Sequence, residues 1–273
     1  MKVSSETQAP AVADYENLGR LLFFDPTDTY TTPGSLPERL QSSLALVIRG
    51  KGGELVRVPA AAAEENLLKR EIKVTLAANG SITAQIREHS KGSSAATNRR
   101  QFESRARADY RKLIERWVSR GVPGAAIEDI AAGDRDDGNF FVNVDLTAAR
   151  YGKKMGGRLL IFNPAIVSRR NFTHLRDIER KYAVRLGANT YSESVEVDLP
   201  DGFVVDEMSQ PVELATDFGA YHAEWRVEDG KLYFQRQMQL RNATVPSEDY
   251  ASVKDFFDQM IKAEQAPVVL IKQ

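Results

Sequence analysis

The sequence predicts an α+β fold that is mainly antiparallel β, with sandwich-like sheets on which one long and one shorter amphipathic helix pack. Three observations lead to this prediction. Many segments alternate apolar and polar residues between turns that contain glycine, proline or asparagine, as half-buried strands do. Two longer segments repeat their apolar residues every three or four positions, as amphipathic helices do. The strands also follow one another in runs, which favours antiparallel sheets over a parallel βαβ architecture.

The first part of the chain is expected to be a tail that leads into short strands. Residues 1–18 are polar and small and have no periodicity, which is typical of a tail or linker. The apolar run at 21–24 (LLFF) predicts a short strand. Residues 44–49 (LALVIR) and 54–59 (ELVRVP) surround a glycine-rich turn and predict a hairpin.

A second hairpin and the longest helix are predicted next. NLLKREIKVTL and SITAQIREHSKG alternate and meet at Asn79-Gly80, a dipeptide that tolerates the positive φ of a tight turn. The helix is predicted over residues 93–121, where Gly121 and then a proline end it. Its apolar residues share one face: Phe102, Ala106, Tyr110, Leu113, Ile114 and Trp117.

The remainder of the chain predicts a meander of strands closed by a helix and a last strand. AAIEDIAAG, NFFVNVDLTAARYG and GRLLIFNPAI read as strands, followed by a basic connection (SRRNFTHLRDIERKYA). SESVEVDLPDGF alternates strictly, and VVDEM, PVELATDFGAYHAEWRVEDG and KLYFQRQMQLR continue the pattern. The final helix follows Ser247 and precedes the strand PVVLIKQ; its apolar stripe is Tyr250, Val253, Phe256, Phe257, Met260 and Ile261.

Composition excludes several classes of function. Of the residues, 42% are hydrophobic and 27% charged, which is typical of a folded globular chain. Lys and Arg total 37 against 38 acids, so net charge gives no general attraction to nucleic acid or anionic lipid. There is no cysteine, which excludes disulfides and thiolate nucleophiles supplied by this chain. No stretch reaches the length of a membrane span or has the pattern of a signal peptide, so we expect a soluble chain.

Asp25, in the segment FDPTD after the first predicted strand, has two interpretations. An Asp-Pro pair at a strand end commonly forms a turn in which the carboxylate accepts backbone N–H bonds, and the chemistry of the segment favours this role. The alternative is a catalytic acid that orients a histidine, and this role requires a nucleophile and a base. The three histidines, His89, His174 and His222, have no metal-ligand spacing, and structural roles are the commoner ones for them.

Two other patterns have a functional and a simpler interpretation. Residues 98–120 hold eight Lys or Arg against three acids, which suggests a phosphate-binding face, but a solvated helix surface is the favoured interpretation. GDRDDG at 133–138 resembles a calcium loop, yet its glycine comes one position too early and no distal Glu follows. We predict no metal site and no cofactor.

The segment LLFFDPTDTYTTPGSLPERLQSSLALVIRGKGGELVRVPAAAAEEN resembles the closing part of the transglutaminase-like (papain-type) domain of large bacterial proteins. The region from VEVDLPDGFVV to APVVL is similar to the β-rich C-terminal domain of unknown function in those proteins, including the entry P-S-E-D-Y to the last helix. The resemblance covers residues 19–273 and implies four segments: a tail (1–18), a remnant of the catalytic domain (19–63), a β-rich subdomain with the long helix (64–180) and a C-terminal antiparallel subdomain with the final helix (181–273).

In that family the aspartate of the D-P-T motif is the acid of the catalytic triad, and Asp25 occupies the matching position. The family's cysteine is missing from this chain, and the segment in which its histidine is expected, TQAPAVADY, contains none. Without a thiolate and an imidazole, Asp25 has nothing to orient. We therefore expect that the chain is not an enzyme by itself, although the parent protein is expected to be a cysteine peptidase or acyltransferase.

The leading hypothesis is a non-catalytic accessory region that packs on or presents a transglutaminase-like domain located upstream. The alternatives are a peptide- or glycan-binding module, and a fragment that is active only with its missing upstream half. No nucleic-acid partner and no membrane insertion are expected, and homo-oligomerisation stays open. The resemblance implies export to the periplasm or cell envelope.

Overall fold

A computed structural model describes residues 25–32, 35–50, 52–167 and 179–273. Within them the chain forms three α-helices and sixteen strands. The helices are α1 (Ser93–Glu103), α2 (Arg107–Ser119) and α3 (Tyr250–Glu264). The strands are β1 (Leu44–Arg49), β2 (Gly52–Arg57), β3 (Leu67–Leu76), β4 (Ile82–Ser90), β5 (Ala126–Asp134), β6 (Phe140–Ala148), β7 (Lys153–Met155), β8 (Leu159–Phe162), β9 (Val184–Leu186), β10 (Asn189–Asp198), β11 (Phe203–Glu207), β12 (Val212–Thr216), β13 (Gly219–Glu228), β14 (Lys231–Leu240), β15 (Ala243–Val245) and β16 (Val268–Lys272). The predicted strand at 21–24 lies outside the described residues.

One large sheet organises the molecule. It has eight strands in the order β12-β13-β14-β10-β3-β4-β6-β5, and every neighbouring pair is antiparallel except β10 and β3. A four-stranded sheet has the order β11-β16-β8-β7, and β1-β2 and β15-β9 are separate pairs. The predicted α+β class with mostly antiparallel strands is therefore confirmed.

The parallel pairing of β10 with β3 joins the two predicted subdomains. Thr190 to Asp198 run beside Leu67 to Thr75 in register. Residues 64–180 and 181–273 thus contribute neighbouring strands to the same sheet, and their buried apolar side chains belong to one continuous core.

The large sheet has one buried and one polar face because its strands alternate with a period of two. In β3, Arg70, Ile72, Val74 and Leu76 are buried, whereas Lys69, Glu71 and Lys73 are exposed. The buried face is covered by apolar residues from the helices and from the small sheet, among them Tyr110 of α2, Phe256 of α3 and Leu160 of β8. This arrangement places the polar face in solvent.

The segment predicted as one long helix forms two consecutive helices. The break is at Ser104–Ala106, where Ala106 has an extended backbone with ψ of 149°. Phe102 from α1 and Tyr110 from α2 meet edge to face with their ring centres 5.0 Å apart. Both helices contribute to the core, α1 through Ala95 and α2 through Tyr110 and Ile114.

Candidate interaction surface

Asp25 begins a compact loop, residues 25–32. Its Oδ1 accepts hydrogen bonds from the Thr27 backbone N–H at 2.9 Å and from the Thr27 hydroxyl at 2.6 Å, which is an Asx turn. Its Oδ2 lies 2.6 Å from Nη2 of Arg39. The bonds from Thr27, and then the charge of Arg39, hold the pKa of Asp25 below its ordinary value although partial desolvation acts against them. The carboxylate is therefore ionised, and Thr27 and Arg39 already occupy its two oxygens.

Asp28 anchors this loop to α1. Its buried carboxylate accepts bonds from the Tyr30 backbone N–H at 3.0 Å and from Nη2 of Arg100 at 3.0 Å. The guanidinium of Arg100 also lies over the Tyr30 ring, 5.1 Å from its centre. Arg99 completes the attachment, because it donates to the Tyr30 carbonyl and to Asp134 of β5. Two of the basic side chains noted in the sequence thus hold the loop in place.

We expect Asp28→Ala to release the loop from α1. Burial raises the pKa of Asp28, but the bonds from Tyr30 and Arg100 outweigh it, so the pKa lies below its ordinary value. The attachment of the loop to α1 should therefore be complete above about pH 3.9, the pKa of an aspartate in the unfolded chain. It should weaken as the pH falls through the lower pKa that Asp28 has in the folded protein. Loss of a charge-assisted bond worth about 1.5–3 kcal/mol should accelerate hydrogen exchange of the Tyr30 amide about tenfold or more. The exposed Thr29→Ala is the control, and equal exchange in both variants would contradict this role.

The histidines and Asp25 do not meet in the described part of the chain. His89 Nδ1 lies 3.4 Å from Nη1 of Arg135. The ring of His222 lies between Glu213, at 3.3 Å, and Glu224, at 3.6 Å, on the polar face of the sheet. His174 is outside the described residues. Neither described ring has Asp25 or a serine hydroxyl among its hydrogen-bond or ion-pair partners, so the geometry assembles no triad from them.

The β1-β2 hairpin, residues 44–57, carries an exposed apolar surface. Leu44, Leu46 and Ile48 alternate along β1 and project to the same side, and Leu55 of β2 is paired with Leu46. These side chains have exposed fractions of 48% (Leu44), 61% (Leu46), 78% (Ile48) and 48% (Leu55). We call these four residues the hairpin patch. Most exposed apolar side chains are isolated, whereas contiguous patches are typical of contact sites.

The base of the hairpin is fixed to the rest of the fold. The Ser42 N–H donates to the Val58 carbonyl at 3.1 Å, and the Val58 N–H donates to the Ser43 carbonyl at 2.8 Å. Asn242, just after β14, donates to the Ser42 hydroxyl, and Arg185 of β9 donates to the Gln41 carbonyl. Val56 and Val58 are buried beneath these contacts. The hairpin patch is therefore presented on a fixed support.

A second cluster of charges, which sequence reasoning missed, lies inside the core. Glu88, Arg70, Glu193 and Arg236 stand side by side on the neighbouring strands β4, β3, β10 and β14, because Arg70 is paired with both Glu88 and Glu193, and Glu193 with Arg236. We call this row the charge ladder. Its signs alternate, and all four side chains are nearly or fully buried.

The ladder is closely bonded. Arg70 Nη2 lies 2.6 Å from Glu88 Oε2, Arg70 Nη1 lies 2.9 Å from Glu193 Oε2, and Arg236 Nη2 lies 2.7 Å from Glu193 Oε1. Arg236 Nη1 also lies 2.8 Å from Glu264 of α3. The Tyr191 hydroxyl donates to Glu193 at 2.6 Å and accepts from both arginines at 3.1 Å. Nε and Nη1 of Arg236 are nevertheless buried without a hydrogen-bond partner among the described residues.

Glu193 stays ionised in the ladder. Burial alone would raise its pKa, but the adjacent guanidinium groups of Arg236 and Arg70 and the bond from Tyr191 outweigh burial and hold the pKa below its ordinary value. One signal in the sequence could have revealed the ladder. Each of its four residues occupies an inward-facing position within an alternating strand, where apolar residues are expected on both sides.

Other expectations concern metals, membranes and the acidic turn. Within the described residues, no three His, Cys, Asp or Glu side chains are grouped so that they could hold a metal ion. In GDRDDG, Asp134 pairs with Arg99, and Asp137 accepts bonds from the N–H and the side chain of Asn139, so these acids organise the β5-β6 turn. None of the helices in the described ranges has the length and apolar character needed to cross a bilayer.

The fold and these surfaces define a β-rich α+β protein with an exposed apolar hairpin. Comparison with known families adds that residues 158–270 match a domain of unknown function, DUF3858, described as having a solved structure. The match begins at β8 and ends within β16, two strands that pair with each other. No curated protein that was compared with the chain matches it.

Proposed function

We propose that the chain is a non-catalytic accessory region that packs on, and thereby presents, a transglutaminase-like catalytic domain. The observation that carries the proposal is the hairpin patch, four large apolar side chains held in solvent on a fixed support. A two-stranded hairpin is marginally stable by itself and is normally completed by packing against another layer. The resemblance of residues 19–63 to the end of a transglutaminase-like domain supports such a domain as that layer.

The hairpin patch can contribute to a contact by burying its exposed apolar area. Full burial of an exposed leucine or isoleucine side chain contributes about 1.5–3 kcal/mol, and the four adjacent members, which are 48% to 78% exposed, would each contribute the corresponding fraction. Only part of this energy appears as affinity, because association also costs translational and rotational freedom. Such a patch therefore supports docking of a folded domain more readily than capture of a small polar molecule.

Asp25 has a structural role in this proposal. It lies at the start of the loop that α1 holds, and it is bonded to Thr27 and Arg39. It has no triad to complete within this chain, because the chain has no thiolate and neither described imidazole reaches it.

The variant Leu46→Ser combined with Ile48→Ser tests this function. The probe is a transglutaminase-like domain that contains the catalytic cysteine and histidine and is encoded in the same genome. We expect the unchanged chain to bind this domain, and the double variant to bind at least a hundredfold more weakly in isothermal titration calorimetry, because two exposed anchors are removed. Since both side chains are exposed, the free energy of unfolding should change little.

The matched control is Val227→Ser, which alters an exposed apolar residue on β13, away from the hairpin. It should bind as the unchanged chain does. Absence of binding to the catalytic domain, or equal affinities for the double variant and the unchanged chain, would contradict the proposal. Thiol-dependent amide hydrolysis that appears on mixing and is lost in Asp25→Ala would favour instead a fragment that completes an enzyme.

A further inference from the structure

The second surface of interest is the edge of the large sheet that β5 forms. β5 is the last strand in the order and pairs only with β6 among the described residues. The Arg135 N–H donates to the Asn139 carbonyl, and the same register continues through Gly133 with Phe141 and Ala131 with Asn143. Because antiparallel pairs alternate, the backbone groups of Ala131 and Gly133 face β6 and those of Ile130 and Ala132 face outward.

This edge is only partly protected. The guanidinium of Arg111 donates to the Ile127 carbonyl at 2.6 Å, next to a bulge between Ile127 and Asp129. Bulges and charges near an edge discourage unwanted pairing. Beyond the bulge comes Ile130-Ala131-Ala132-Gly133, which carries no charge and has no hydrogen-bond partner on its outer side within the described residues.

A groove of about 780 Å³ runs beside this open part of the edge. Ile130 and Ala132 line it on the strand side, and Phe102 and Tyr110 line it on the helix side. An apolar groove between a helix and a free sheet edge is the arrangement that accepts an extended peptide as an added strand.

The charges of the groove indicate which peptide fits. Its helical wall contributes Arg105, Arg107 and Arg111 against Glu103, and Arg111 is itself paired with Glu115 at 3.1 Å. Arg107 has neither a hydrogen bond nor an ion pair to any described residue. The other acid that lines the groove is Asp129. It lies opposite Asp145 in the pairing of β5 with β6, and Asp145 binds Arg87 on the polar face of the sheet. The wall that a bound peptide would meet therefore has an excess of positive charge.

We propose that β5 binds an extended acidic peptide by strand addition, with an apolar side chain in the groove and an acidic side chain beside Arg107. The backbone groups of Ile130 and Ala132 supply the strand hydrogen bonds. This surface is separate from the hairpin patch, so the inference does not depend on the function proposed above.

The test compares two peptides that differ only in charge. In Ac-TETFTET-NH2 both glutamates and the phenylalanine project to one side of a strand, and in Ac-TKTFTKT-NH2 lysines replace the glutamates. Titration of fluorescein-labelled peptides followed by anisotropy should give at least tenfold tighter binding of the acidic peptide. N-methylation of alternate amides along one edge of the acidic peptide should reduce binding by a similar factor, because it removes strand hydrogen bonds.

Two protein variants locate the site. Arg107→Glu reverses the free charge at the first position of α2, where an acidic residue is favourable for the helix. This variant should bind the acidic peptide at least tenfold more weakly. Ala132→Pro removes an outward N–H that β6 does not use, and proline is tolerated at such edge positions. It should abolish binding, whereas the control Ala132→Ser, which keeps the N–H, should not. Thermal unfolding of each variant shows whether the fold is retained.

Three results would overturn the inference. The first is equal affinity for the acidic and the lysine peptide. The second is unchanged binding in a folded Ala132→Pro or Arg107→Glu variant. The third is a concentration-dependent dimer of the unchanged chain that Ala132→Pro converts to a monomer while neither peptide binds, because the edge would then pair with a second copy.

Discussion

Replacing Glu193 with glutamine should destabilise the protein by about 3–5 kcal/mol, the range for removing one partner of a buried ion pair. Glu193 is fully buried and uses its two oxygens for two different arginines, Arg70 and Arg236. Glutamine has a single acceptor oxygen, and its amide NH2 group is a hydrogen-bond donor. This NH2 group would face the N–H donors of one of the two guanidinium groups, with which it cannot form a hydrogen bond. Both arginines would stay buried, and each would keep only one carboxylate partner, Glu88 for Arg70 and Glu264 for Arg236.

Urea unfolding followed by circular dichroism measures this effect. We expect a lower midpoint with an unchanged slope, since the folded structure exposes the same area on unfolding. The control is Glu196→Gln on the same strand but the opposite face, where the carboxylate pairs with Lys231 and is partly exposed. Such surface pairs contribute about 0–1 kcal/mol. A change at Glu193 as small as that at Glu196 would contradict this prediction.

The same variant should alter the pH dependence of stability. Because the pKa of Glu193 is lower in the folded state than in the unfolded state, its contribution is complete above the unfolded pKa of about 4.3 and declines as the pH falls through the folded value. The glutamine variant should therefore lose less stability than the unchanged protein when the pH is lowered from 5 into the acidic range. Parallel pH profiles would contradict this assignment.

Replacing Gly80 with alanine should cost about 2–4 kcal/mol. Gly80 has φ of +88°, and a Cβ there would lie 2.2 Å from the Gly152 carbonyl oxygen, which is backbone and cannot rotate away. The Gly80 carbonyl also accepts bonds from the N–H groups of Tyr151 and Gly152, at 2.9 and 2.8 Å. The left-handed conformation costs alanine about 1–2 kcal/mol, and separating the two segments weakens bonds worth about 1 kcal/mol each.

Gly202→Ala is the matched control for this prediction. Gly202 has φ of +75°, and no described atom outside its immediate neighbours lies within 4 Å of the position of a Cβ. It therefore measures the conformational cost without the steric clash. Thermal unfolding should show a larger loss for Gly80→Ala, and equal losses would mean that the contact between residues 80 and 152 is not tight.

Local sequence patterns predicted the elements well where one physical rule dominates. The β3-β4 hairpin follows from strict alternation and from Asn79-Gly80, and the structure has both strands and the turn. The stripe of α3 was predicted from its spacing, and five of its six residues are buried. The division between α1 and α2 was missed, because the apolar spacing continues across Ser104 and no proline or glycine marks the break.

The candidate sites were predictable only in part. The sequence indicated Asp25 and its turn chemistry. The sequence did not indicate that the hairpin patch is exposed, because that exposure depends on no described element covering β1 and β2. The charge ladder was missed because Arg70 and Glu193 lie 123 positions apart along the chain. An inward-facing charge within an alternating strand signals that a partner exists, but it does not say where the partner is.

The sequence by itself determined the element types, the class of fold and the lack of a thiol nucleophile, since side-chain periodicity and composition are properties of neighbouring residues. Only the tertiary structure decided that β10 lies parallel to β3, which merges the two predicted subdomains into one sheet. That pairing places Glu193 between Arg70 and Arg236, and the pairing of β6 with β4 places β5 at an edge of the sheet. Strand neighbours are selected by packing and charge neutralisation over the whole chain, and these are not encoded within any one segment.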